Sequence, residues 1–221
     1  VWWHRQRLDM PKPSAAHKVH GAAEDTFGFL RIPAVWMCFA FFFFYAGALS
    51  VVQTYAPEAA RQLHAVPLGL AAVCLTVYMV ASACGMVLGG FLASDPSRCE
   101  RIVGLAFAAA ASMALYAALG HIAGWLVPVL FGAMGFVSGM ASPSRDLLVK
   151  RSTPEGATGR VYGVVYSGLD TGQAVMPLVF GRLMDLQQYQ AVWLGLALLQ
   201  VVLIASAFNI RRVRREAWAP A

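Results

Sequence analysis

The sequence predicts an all-α membrane protein: six transmembrane helices, arranged as a 3+3 inverted repeat. Three observations carry that expectation. Six apolar segments recur along the 221 residues, each near the roughly 20 residues that a helix needs to cross a bilayer. Hydrophobic residues make up 59% of the chain and charged residues 13%, with a mean hydropathy of +0.61, too apolar for an ordinary soluble domain. The basic residues cluster between the apolar segments and do not spread over a face, which points to membrane topology and away from nucleic acid.

Residues 1–31 contain Arg5, Arg7, Lys12, Lys18 and Arg31 together with Pro11 and Pro13, and read as a basic cytoplasmic linker. The stretch begins with Val and shows no signal-peptide pattern, so the sequence reads as part of something longer. The transmembrane domain is placed at 32–210. Its segments run from about Ile32 to Gln53, Leu68 to Ala93, Ile102 to Leu119, Ile122 to Ala141, Arg160 to Gly181 and Ala191 to Ile210. Inside hydrocarbon a spanning backbone must satisfy its own polar groups, so only helices and closed barrels qualify. The segments lack the alternation of barrel strands, of roughly ten residues per segment, and helices are predicted. Residues 211–221 form a basic tail opened by Arg211, Arg212, Arg214 and Arg215, an anchor for anionic lipid.

The charge pattern orients these helices. Of the 17 Lys and Arg residues, five lie in the N-terminal stretch, two in the loop 94–101, four in the loop 142–160 and four in the C-terminal tail. Only Arg61 and Arg182 remain for the other side. Positive residues stay cytoplasmic, so both termini are predicted to be cytoplasmic, in a multi-pass protein of the plasma (inner) membrane.

The second segment ends Gly90-Phe91-Leu92-Ala93-Ser94 and the fifth Gly181-Arg182-Leu183-Met184-Asp185, the same Gly-x-Leu-x-(Ser/Asp) pattern at equivalent places in two groups of three. Three helices per group invert the second copy across the membrane, the arrangement found in transporters. The pairs Gly85/Gly89 and Gly135/Gly139 predict close approach between neighbouring helices.

Asp170 is the only carboxylate placed deep in an apolar segment. A charge there costs about 2.5–3.5 kcal/mol on insertion scales, so a cavity or a partner is required. At helical period Gly163, Tyr166, Ser167, Asp170, Gln173, Ala174, Pro177 and Gly181 share one face, against Val161, Val164, Val165, Leu169, Val175 and Val179 on the other. Asp170, Tyr166, Gln173 and Ser167 are the candidate substrate or proton pathway, and Tyr45 on the first helix joins them. The alternative reading is a structural hydrogen bond from Asp170 to a neighbouring helix.

Other chemistry finds little support. Gly135-Phe136-Val137-Ser138-Gly139 superficially resembles the turn of a serine hydrolase, but no histidine lies deep in a segment to serve as base. Cys38, Cys74, Cys84 and Cys99 form no CxxC pair and no metal spacing. No catalytic residue, cofactor or metal is expected. A non-transporting scaffold or receptor stays open as an alternative, although a scaffold has little reason to keep a costly intramembrane carboxylate.

The segment Gly90-Phe91-Leu92-Ala93-Ser94-Asp95-Pro96-Ser97-Arg98 resembles the cytoplasmic loop signature of the major facilitator superfamily, approximately Gly-x-Leu-(Ala/Ser)-Asp-x-x-Gly-Arg-Arg. Gly90, Leu92, Ala93 and Arg98 match. Ser94 stands in place of the signature Asp, with Asp95 one position on, and Ser97 replaces the Gly. Pro143-Ser144-Arg145-Asp146 followed by Gly156-Ala157-Thr158-Gly159-Arg160-Val161-Tyr162-Gly163 is similar to the family's loop between its tenth and eleventh helices. The resemblance implies half of a twelve-helix fold, the C-terminal six-helix half, with residues 1–31 as the central linker. It also implies peripheral third and sixth helices, and gating charges at Asp95, Arg98, Arg145, Asp146 and Arg160. The expected function is secondary active transport of a small solute by alternating access, proton-coupled through Asp170. The expected partners are membrane lipid, a small-molecule substrate and either an N-terminal six-helix half or a second copy, with no nucleic acid.

Overall fold

A computed structural model describes residues 33–93, 99–152 and 158–217, and every regular element among them is helical. The elements are α1 (Pro33–Thr54), α2 (Ala56–Leu63), α3 (Leu68–Leu92), α4 (Cys99–Leu119), a single 3-10 turn (Gly124–Leu126), α5 (Val127–Ser152), α6 (Thr158–Asp185) and α7 (Tyr189–Ala217). Five stretches are long and apolar enough to cross a membrane: Val35–Thr54, Leu68–Leu92, Arg101–Leu119, Gly124–Leu147 and Tyr189–Ser206. The 28-residue α6 is long enough but falls short in apolarity, because its polar stripe interrupts the run.

The first helix ends within a residue of expectation, but an added helix and the ends of later helices differ. Pro57 lacks an N–H, and its ring crowds the carbonyl four residues back, so the first helix stops at Thr54. The chain then restarts as α2, with Pro57 in its first turn, in a stretch expected to be loop. α2 is amphipathic: Ala56, Ala59 and Ala60 are buried, while Arg61 and Gln62 bond Glu58 on the other side. The fourth segment begins at Val127, not Ile122, and runs through Pro143 to Ser152, so most of the loop expected at 142–160 is helix. A proline inside a membrane helix is tolerated where neighbouring groups serve the carbonyl it frees. The last helix likewise continues past residue 210 to Ala217.

Short turns are closed by backbone bonds. At the end of α6, Gln188 N–H bonds the Leu183 carbonyl (2.9 Å) and Gln187 N–H the Met184 carbonyl (2.9 Å), with Gln187 at φ 55°. This is the Schellman arrangement, with Gln at the left-handed position that glycine usually occupies.

Helix pairing is mostly non-sequential. The most extensive contacts are α3–α5, α1–α6, α4–α7, α4–α5 and α1–α7. Exchanging the first three long helices with the last three (α1 with α5, α3 with α6, α4 with α7) converts this set into itself. The two largest contacts are built on glycine. A Cβ on Gly85 or Gly89 would strike the backbone of Phe136 or Met140, and one on Gly135 or Gly139 the backbone of Tyr78 or Ser82. The two glycine pairs read from the sequence therefore face each other across one interface. On α6, Gly168 and Gly172 meet the backbone of Phe39 and Phe43 of α1 in the same way, a third pair not singled out from the sequence. Small residues let backbones approach, which raises van der Waals contact where lipid supplies no hydrophobic drive between helices.

The core lies between these pairs. Phe41 meets Phe107 of α4 edge-on at 6.2 Å, and Phe131 of α5 meets Trp193 of α7 at 5.7 Å. α4 presents Ala106, Ala110, Ala114 and Ala117, all buried, so the larger rings of its neighbours fill the space.

Candidate functional site

Gly168 and Gly172 fix the rotation of α6, because both must face α1. Asp170 sits between them in sequence and so, at about 100° per residue, on the opposite side of the helix. It is exposed, with Tyr166, Ser167, Thr171, Gln173 and Ala174 around it, while Val165, Met176 and Phe180 are buried with the glycines. The expected polar stripe is thus a continuous open face. Val175 and Val179, expected on the opposite side, flank it and are exposed. Asp170 lies about 18 Å along the helix from Thr158 and about 22 Å from Asp185, close to mid-span. Neither Asp170 nor Gln173 has a side-chain hydrogen bond or ion pair among the described residues.

The neighbouring hydroxyls are turned back onto the helix. Ser167 Oγ donates to the Val164 carbonyl at 2.7 Å, and Thr171 Oγ1 to the Ser167 carbonyl at 2.7 Å. Further along, Pro177 lacks an N–H, which leaves the Gln173 carbonyl without its helical partner. Tyr55, next to α2, donates from its hydroxyl to the Pro177 carbonyl at 3.0 Å and ties that end of α6 to the bundle.

Tyr166 and Tyr45 belong to a second cluster. Tyr166 stacks on Phe42 at 5.2 Å and lies 5.8 Å from Tyr162. The guanidinium of Arg145, on α5, lies 4.0 Å from the centre of the Tyr45 ring and 5.6 Å from that of Phe42. Arg145 donates through Nε to Asp146 Oδ1 at 2.9 Å, and its side chain is 12% exposed against 53% for Asp146. A planar cation against two ring faces, shielded from solvent, is a favourable arrangement, worth about 2 kcal/mol where desolvated. Arg145 Nη1 is buried with no partner among the described residues.

The structure therefore joins Tyr45, Tyr166, Arg145 and Asp146 across α1, α5 and α6, through Phe42. It leaves Asp170, Gln173 and Ser167 on the open face of α6. Phe42 was hidden in the run of four phenylalanines, where no periodicity distinguishes it. Thr171 was missed although it is adjacent to Asp170. The gating candidates Asp95 and Arg98 lie outside the described residues, as does the side chain of Arg160, whose backbone is in the first turn of α6.

No curated protein and no solved structure matches the chain. The sequence model of the Major Facilitator Superfamily matches it over residues 1–163 and 37–221, which together cover its whole length. With helices, apolar spans and family model in agreement, the chain belongs to the major facilitator superfamily.

Proposed function

We propose that the chain is the C-terminal six-helix half of a secondary active transporter, which moves a small solute by alternating access across the plasma membrane. The observation that carries this is Asp170: a carboxylate at mid-span, exposed and unpartnered among the described residues, on the face of α6 turned away from α1. Lipid is a poor environment for it, by about 2.5–3.5 kcal/mol. A water-filled passage formed with a second six-helix body removes that cost. The invariance of the helix contacts under exchange of the two groups of three supports a 3+3 inverted repeat, with α6, the fifth long helix, as the counterpart of α3, the second.

In this reading Asp170 carries a proton. Alternating access opens it first to one side and then to the other. Gln173 and Tyr166, one turn away on the same face, hold the solute beside it. Arg145 and Asp146 at the cytoplasmic end of α5, together with Asp95, Arg98 and Arg160, bias the closed state. Residues 1–31 connect to the other half, and both termini are cytoplasmic.

The test uses the chain assembled with an N-terminal six-helix half, or with a second copy of itself, in proteoliposomes under an imposed pH gradient. Candidate solutes are added outside, and an internal pH dye reads coupled proton movement. Asp170→Asn keeps shape and removes titration, so we expect insertion and solute binding to survive and coupled proton movement to vanish. Full coupling in Asp170→Asn removes Asp170 from the mechanism.

A further inference from the structure

Away from the open face of α6, Tyr45 of α1, Tyr78 of α3, Ser138 of α5 and Gln200 of α7 line one small cavity, together with apolar side chains that include Phe107 and Leu203. About 10 Å³ of it is open to the centre of a water molecule. That is about the space one water requires, on the order of 10–15 Å³, and too little for an organic solute.

The polar groups around it are complementary to water. Gln200 is 4% exposed, and its Oε1 is buried without a partner among the described residues, so it presents a free acceptor. Tyr45, Tyr78 and Ser138 each bring a hydroxyl, which can donate or accept. A ligand that donates to Gln200 Oε1 and exchanges hydrogen bonds with these hydroxyls satisfies the site, and water does this with about the three bonds usual for a buried molecule.

We infer that this cavity is a binding site for a single water molecule, bridging Gln200 Oε1 to the hydroxyls of Tyr45, Tyr78 and Ser138 that line it. The water ties α7 to α1, α3 and α5 at the level of the core. It gives Gln200, the buried amide of an otherwise apolar stretch of α7, a structural role separate from the Asp170 face.

Radiolytic hydroxyl labelling of the full chain in lipid nanodiscs tests this, because radicals formed from a bound water oxidise the side chains around it. Tyr78 is 6% exposed and Phe131 1%, so bulk solvent alone would label both slowly. We expect Tyr78, corrected for intrinsic reactivity, to be oxidised at least fivefold faster than Phe131. We also expect Gln200→Leu to bring Tyr78 down to the Phe131 rate, while exposed Tyr116 is unchanged. Equal slow rates at Tyr78 and Phe131 in the native chain overturn the site, as does fast labelling of Tyr78 that persists in Gln200→Leu. The native comparison decides on its own should Gln200→Leu fail to insert. The proton-coupling assay on Asp170 is independent of either result.

Discussion

The interlock of α3 and α5 makes a quantitative prediction at Gly139. A Cβ built there stands 2.7 Å from the Ser82 carbonyl carbon and 2.8 Å from its Cα, with the carbonyl oxygen closer still. Carbon atoms in contact prefer about 3.5–4.0 Å, so the two backbones must part by roughly 0.7 Å or more. The obstacle is backbone on both sides, and no rotamer change relieves it. Overpacking of this kind costs about 1–3 kcal/mol. Alanine also improves helix propensity over glycine by about 1 kcal/mol, which masks part of that cost. The control is Gly90→Ala, one helix away, where a Cβ meets nothing within 4 Å. Propensity acts alike in both variants, and their difference isolates the clash. In reversible unfolding from mixed micelles, we expect Gly139→Ala to be less stable than Gly90→Ala by about 1–3 kcal/mol, or about 5- to 150-fold in the unfolding equilibrium. A difference below about 0.5 kcal/mol would show that the helices are not held at this separation, and the glycine argument would fail.

Other expectations follow from the same structure. Gln187 holds a left-handed conformation, so Gln187→Gly should stabilise the chain by about 1 kcal/mol in the same titration, and a loss of stability would refute the turn assignment. A cysteine at exposed Gln62 or Gln187 should react with an impermeant maleimide added outside sealed cells, and one at Ser152 should not; outside labelling at 152 would reverse the proposed orientation. Tyr45→Phe keeps the ring under Arg145 and loses only a hydroxyl hydrogen bond, about 1 kcal/mol, whereas Tyr45→Leu should lose about 2 kcal/mol more; equal losses would show that the ring face contributes nothing.

The positions of the long helices were legible in the sequence because the signal is local. A helix closes its hydrogen bonds within four residues, and apolar length alone says whether it can span. The polar stripe of α6 was legible for the same reason, since residues three and four apart share a face whatever the surroundings. The two glycine pairs also announced close approach, but not to each other. Which helix meets which was decided only in three dimensions: α1 packs on α6 and α3 on α5, far apart in the chain, because matching surfaces and not sequence order select the pairs. Arg145 read as a loop charge, since the apolar run before it ends at Ala141. The bundle carries α5 through Pro143 and lays the guanidinium on Tyr45, a contact across 100 residues that no local pattern contains. Gln200 lies in an apolar stretch that gave it no distinguishing pattern, and only the convergence of four helices gives it hydroxyl neighbours. Local hydrogen bonding and apolar length are written in short stretches of residues, whereas the environment of a buried polar group is set by side chains from every element packed around it.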